Sequence, residues 1–162
     1  MNDLRVCMTT TYFYPVAGGA EKQVERLSAW LVKHGVPVMI VTRRVDDSPT
    51  HEVMYGAHVY RIPVPRNKIL ASLAFTVRGL LLLIKHRREY NVVHSHQIYS
   101  PTTLGWIASR LFGYPLVVNL HLGGTEGDIT RLLRRKGIGQ VRLNLLKQTA
   151  RVEVMRRQKI TV

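Results

Sequence analysis

Acidic side chains are scarce in this sequence: ten Asp and Glu stand against 24 Lys and Arg over 162 residues, a formal charge of +14. That imbalance favours anionic company such as nucleotides, nucleic acid or anionic lipid, without choosing among them. Cysteine is down to a single residue, Cys7, which excludes an internal disulfide and a multi-cysteine metal site. Its place in an apolar stretch predicts a small buried hydrophobe, and a reducing compartment fits it. No secretory leader is expected, because Asp3 and Arg5 interrupt the start. The expected location is therefore cytoplasmic, with the cytoplasmic face of a membrane open as a peripheral site. No apolar run reaches the roughly 20 residues a spanning helix needs, since Arg78 breaks the longest one. The spaced fingerprint G-x-G-x-x-G is absent, which excludes the usual nicotinamide-dependent oxidoreductase. Repeats and low-complexity tracts are lacking too, so the chain reads as one globular domain over residues 1–162.

What is present is alternation. Leu4 to Met8, Pro37 to Thr42, Val92 to His96 and Pro115 to His121 are short apolar runs, and a weaker one covers His58 to Pro63. Between the first two, Val24, Leu27 and Leu31 recur at helical spacing and His34-Gly35 closes the segment. Ser100-Pro101 reads as a capping side chain followed by proline at the first helical position. Val45 to Gly56 is polar and reads as a surface loop, while Gln140 to Gln158 reads as a helix and Lys159 to Val162 as a last strand. Strands buried on both faces and alternating with helices predict an α/β fold: an open, mainly parallel, Rossmann-like sheet with helices on both faces.

Ile69 to Tyr90 is helical in spacing with an apolar face so broad, through Leu80 to Ile84, that protein or lipid must cover it. A buried helix is the expected answer. The flanking Lys85, Arg87 and Arg88, with the basic residues from Arg131 to Lys159, leave an anionic membrane surface open as a partner.

The chemistry gathers where strands end. Thr9-Thr10-Thr11, Thr42-Arg43, His94-Ser95-His96 and Asn119-Leu120-His121 are polar tips on apolar strands, and ligands of open α/β sheets bind beyond that carboxyl edge. Gly18-Gly19 joins the first strand to the first helix. Adjacent glycines there admit either a phosphate cradle at the helix amino terminus or a plain tight turn. Arg43 and Arg44 suit phosphate, although solvation is the simpler expectation.

Taken in order, Phe13-Tyr14-Pro15, Gly18-Gly19-Ala20-Glu21, His34-Gly35, Val92-Val93-His94-Ser95-His96 and Val117-Val118-Asn119-Leu120-His121 resemble the amino-terminal half of family 4 glycosyltransferases. The resemblance implies the first of two Rossmann-like domains of a GT-B enzyme. It further implies retaining transfer of a sugar from a nucleotide-sugar donor to an acceptor, which is a glycan, a lipid-linked molecule or a small molecule. Neither a cofactor nor an obligatory metal is implied. By motif position His121 faces the reacting sugar, Gly18 and Gly19 bring backbone N–H groups towards the donor diphosphate or sugar, and His96 lines the acceptor side. Tyr14 either shapes a pocket or anchors the loop by packing. His94 shares the strand face of His96, yet no carboxylate or cysteine lies nearby in sequence to complete a metal site.

The E-x7-E pair of the family's second domain does not occur here. The expectation is a chain inactive alone, dependent on a carboxyl-terminal domain or a partner subunit. The rival is a basic nucleotide- or nucleic-acid-binding module. Nucleic acid is not favoured, because no recognition motif or basic-aromatic platform accompanies the charge.

Overall fold

The computed structural model describes residues 4–119. His121, the basic stretch from Arg131, the expected helix at Gln140 to Gln158 and the expected strand at Lys159 to Val162 lie outside the described residues. Within them the chain runs β1 (Val6–Thr9), α1 (Gly19–Lys33), β2 (Val38–Arg43), β3 (His51–Met54), β4 (Ala57–Ile62), α2 (Lys68–Lys85), β5 (Val92–His96), α3 (Ser100–Phe112) and β6 (Leu116–Asn119). The strands form one six-stranded sheet in the order β3-β4-β2-β1-β5-β6. Every pairing is parallel except β3 with β4.

Period-two alternation sorts the strand side chains into two cores. Val6, Met8, Val38, Ile40, Ala57 and Val59 face α1, where Phe13 and Val24 complete a buried cluster. Cys7, Met39, Val41, Ile62 and Val93 face the other way and meet Phe75 and Leu83 of α2 and Leu104 and Ala108 of α3. Strands apolar on both faces and helices on both sides agree with the doubly covered parallel sheet expected from sequence. Cys7 is a fully buried free thiol whose pKa is pushed far above its ordinary value of 9.0 by burial.

Three local expectations need correction. Val45 to Gly56 is not all loop: β3 pairs antiparallel with β4, Met54 opposite Ala57, through a two-residue turn at Tyr55 and Gly56, both at positive φ. Such paired left-handed residues are what a tight hairpin demands. Ser100 does not cap α3, because the cap position falls on Tyr99, and the Ser100 hydroxyl accepts a hydrogen bond from Arg43 instead. The helix expected from Ile69 to Tyr90 ends at Lys85. It is not a buried helix: Ala71, Phe75, Gly79 and Leu83 are inside, whereas Ile69, Leu70, Leu73, Val77 and Leu81 are exposed.

Two helices settle close to their neighbours for identifiable reasons. A Cβ on Gly105 would run into the Ser95 hydroxyl and lie 3.1 Å from Leu116 Cδ1, so glycine is what lets α3 lie against β5 and β6. Asn67 begins α2 by accepting hydrogen bonds from the Ile69 and Leu70 N–H groups at 3.0 and 3.2 Å.

Candidate functional site

The loop between β1 and α1 is held at its base and open at its tip. Phe13 is buried and anchors it in the core, whereas the Tyr14 ring is 56% exposed. Tyr14 is thus held by its backbone: its carbonyl accepts from the Arg61 guanidinium at 2.9 Å. Arg61 is itself buried, donates to the Pro49 carbonyl at 3.3 Å and forms an ion pair with Glu52 of β3. One cation therefore joins the loop, the β2–β3 connection and the edge strand.

Gly18 and Gly19 play different parts. Gly18 precedes α1 in an extended conformation with φ of −154°, so no left-handed backbone is needed. A Cβ there would run into the Glu21 carboxylate, which sits over the start of the helix. Gly19 is the first helical residue, and a Cβ on it would meet nothing within 4 Å. Lys22 N–H closes the first turn on the Gly18 carbonyl at 3.0 Å. The N–H groups of Gly19, Ala20 and Glu21 are left without intrahelical acceptors, the usual condition of a helix start and one that suits an anion. Space beside the Gly19 Cα is open, while the Glu21 carboxylate already stands at the start of the helix.

Most of the polar strand tips are committed to internal bonds. The Thr9 and Ser95 hydroxyls lie 2.8 Å apart, and the Pro101 carbonyl lies 3.0 and 3.3 Å from them, so one hydroxyl donates to the carbonyl and the other to its neighbour. Thr42 donates to the Thr11 carbonyl at 3.3 Å, and the Thr11 N–H donates to the Gln97 side chain at 3.2 Å. Thr9, Thr10, Thr42 and Ser95 are completely buried. These tips knit the β1–α1 and β5–α3 loops together and so fix the floor of the carboxyl edge. His96 is buried on the opposite strand face from Ser95, opposite Asn119 in register, with the His94 ring 4.2 Å away. Among the described residues no group of three or more His, Cys, Asp and Glu is placed to hold a metal ion.

Arg43 is the tip residue whose part the sequence understated. It is half-buried rather than freely solvated, its guanidinium lies 5.6 Å from the Phe75 ring centroid, and one Nη donates to the Ser100 hydroxyl at 2.9 Å. Its buried Nε has no hydrogen-bond partner among the described residues. A half-buried cation held beside the start of α3 offers the rest of its guanidinium charge to an anionic ligand group. Arg44, by contrast, is bound to its own loop through the Ser48 carbonyl at 2.7 Å. The structure thus brings Tyr14, Gly19 and Arg43 to the carboxyl edge of β1 and β2 and buries His96 beneath β5's end; His121 falls outside the described residues. Arg61 was missed altogether, although an arginine inside the apolar run Val59 to Ile62 was the available signal.

The sequence profile described as the glycosyl transferase 4-like domain matches residues 18–157. The chain belongs to the glycosyl transferase 4-like family. This 4-like domain is 33% identical over 98 residues to a phosphatidylinositol N-acetylglucosaminyltransferase subunit of Homo sapiens, covering 59% of this chain and 20% of that protein. The Arabidopsis thaliana protein of the same name is 31% identical over 123 residues, 73% of this chain and 27% of that one. D-inositol 3-phosphate glycosyltransferase of Kineococcus radiotolerans is 31% identical over 115 residues, 65% and 26% of the two chains. The domain therefore spans between 20% and 27% of these curated relatives. Among solved structures, sucrose-phosphate synthase from Thermosynechococcus elongatus shares the fold at a TM-score of 0.61 and 17% identity, over 90% of this chain and 45% of that one.

Proposed function

We propose that this domain forms the acceptor side of a cleft in which a sugar passes from a nucleotide-sugar donor to an acceptor carrying an inositol phosphate, with retention of configuration and without cofactor or obligatory metal. Family membership supports the sugar transfer. The names of the human, plant and bacterial relatives share inositol as the acceptor chemistry. The observation that carries the acceptor reading is Arg43, a half-buried cation held at the carboxyl edge by the Ser100 hydroxyl. Its guanidinium supplies charge-assisted hydrogen bonds to a phosphate, while the open turn at Gly19 offers backbone N–H groups to the donor diphosphate or to the sugar. Tyr14, exposed on the β1–α1 loop, flanks the acceptor. His121 takes the sugar-facing role that the family resemblance gives it, whereas His96, fully buried at the end of β5, does not line the acceptor side and supports its floor from beneath. Most donor contacts come, on this reading, from a second domain or a partner protein, at a cytoplasmic site.

Titration of the isotope-labelled chain with myo-inositol 1-phosphate, followed by amide shifts, tests the acceptor half. Saturable shifts at Arg43 and the start of α3, lost in Arg43→Ala, are expected. Shifts that are absent, or unchanged in the variant, would remove the phosphate from this edge.

A further inference from the structure

The helix α1 turns towards solvent a face that the core does not use. Val24 and Ser28 are buried against the sheet, and Leu31 packs half-buried beside them. On the outward side Lys22, Arg26 and Trp30 follow one another at intervals of four residues and so line up along the helix axis. Trp30 is 56% exposed. It is nevertheless fixed: the His34 ring stacks on it with centroids 4.0 Å apart and planes at 29°, and His34 Nδ1 donates to the Trp30 carbonyl at 2.7 Å. Gly19, Lys22, Gln23, Arg26, Leu27 and Trp30 together line an open groove of about 530 Å³, within the size range of small-ligand sites.

The two cations in the groove do nothing for the helix that carries them. Lys22 stands in the first turn, where the helix dipole disfavours positive charge, and Arg26 follows one turn on, where like charges repel. Neither forms an ion pair among the described residues. The two acidic residues of α1 are turned elsewhere: Glu21 stands over Gly18, and Glu25 lies beside Tyr55. An exposed aromatic ring held in place by a neighbour, with two unrelieved cations beside it, fits a ligand that has both an apolar ring face and a negative charge. Gln23 adds an amide that donates and accepts, which suits hydroxyl groups.

We propose that the outward face of α1 is a binding site for a phosphorylated saccharide. The C–H face of one sugar ring packs on Trp30, Arg26 and Lys22 hold the phosphate, and Gln23 bonds to ring hydroxyls. A nucleic-acid strand is the poorer occupant, because it needs aromatic platforms in series along a basic track and α1 carries a single aromatic residue. The site is separate from the one at Arg43. That residue lies against Phe75 and Ser100, on the side of the sheet covered by α2 and α3, whereas α1 covers the other side. The groove starts at Gly19 and runs along α1 away from the carboxyl edge, so it is an outer hold for a charged sugar and does not depend on which acceptor the edge handles.

The test uses the full chain with the exposed Trp106 replaced, Trp106→Phe, which leaves Trp30 as its one indole. Its fluorescence is titrated with glucose 6-phosphate, and with glucose, inorganic phosphate and uridine monophosphate as separate arms. A saturable change with glucose 6-phosphate, at least tenfold tighter than with glucose or phosphate alone, is expected. The double variant Lys22→Gln, Arg26→Gln should weaken it at least tenfold without lowering Tm, since neither side chain has an ion-pair partner to lose. Arg43→Ala should leave it unchanged, which keeps this site distinct from the carboxyl edge. Amide shifts at Gln23 and Arg26 that vanish in Trp30→Ala give a second reading independent of fluorescence. Phosphate alone binding as tightly as the sugar phosphate, full binding by the double variant, or shifts that survive Trp30→Ala would each overturn the proposal. Tighter binding of uridine monophosphate would overturn it too, by handing the groove to a nucleotide.

Discussion

Replacing Gly19 with alanine separates a ligand-accommodating glycine from one that only makes a turn. The added methyl would meet no atom within 4 Å, and the residue already has helical backbone at the start of α1. Within the folded chain Gly19→Ala is therefore free of steric cost. Alanine exceeds glycine in helix preference by about 0.5–1 kcal/mol. For a domain of this size, 1 kcal/mol moves Tm by about 2–4 °C, so the variant should melt about 1–4 °C higher. If a ligand approaches the first-turn N–H groups, the same methyl stands in its path, and binding should fall by tenfold or more, about 1.4 kcal/mol. Calorimetric titration with uridine diphosphate, chosen as a diphosphate probe, together with circular dichroism melting, reads both effects on one sample. A stabilised variant that binds the probe as well as the parent would show that Gly18-Gly19 is a turn and nothing more. Gly18→Ala is the contrast, because its methyl must displace the Glu21 side chain and any loss there has two explanations.

Three further outcomes follow from the same contacts. Arg61→Leu strands the Glu52 carboxylate and frees the Tyr14 carbonyl; charge-assisted bonds of this kind contribute about 1.5–3 kcal/mol each. Tm should drop by several degrees, and an unchanged melt would deny Arg61 its role as a clip. Gly105→Ala must push α3 off β5, since its methyl meets Ser95, Leu116 and Val93, and chemical denaturation should show a loss of about 1–3 kcal/mol typical of overpacking. The Cys7 thiol is held protonated by burial, its pKa raised above 9.0. Its contribution to stability is complete below pH 9, and is lost above it as the unfolded thiol ionises, at up to about 1.4 kcal/mol per pH unit. Melting in Cys7→Ala should lack that decline between pH 9 and 10, and a retained decline would assign it to other groups.

The parts of the fold that were legible are those whose environment is uniform. Parallel strands buried on both faces must be apolar throughout, so Val38 to Val41 and Val92-Val93 declared themselves, and α1 did so through Val24, Leu27 and Leu31. β3 stayed hidden because its exposure alternates along His51 to Met54, its composition is polar, and only the pairing with β4 makes it a strand. Ser100 misled for a related reason: a hydroxyl before proline is a good local cap, but Arg43 arrives from a residue 57 positions away and takes it. For α2 the sequence stated that the apolar face needs a cover, and no local pattern says which molecule supplies it. At the carboxyl edge, the polar tips were visible but their employment was not. Threonine and serine at strand ends look alike whether they hold a ligand or, as with Thr9 and Ser95, one another. The exposed ring of Tyr14 beside the buried ring of Phe13 was likewise a matter of orientation that residue type does not encode.

The Arg61 clip has a bearing on how this domain tolerates change. Because the guanidinium that fixes the Tyr14 carbonyl is neutralised by Glu52 on the outermost strand, the shape of the loop is hostage to the rim of the sheet. Lineages that lengthen or trim the β2–β3 connection would retune that loop from a distance, without altering any residue that meets a substrate. If the loop walls the acceptor as proposed, peripheral drift is a route to new acceptor preference, and the edge strand is a sensible place to randomise when a different preference is sought.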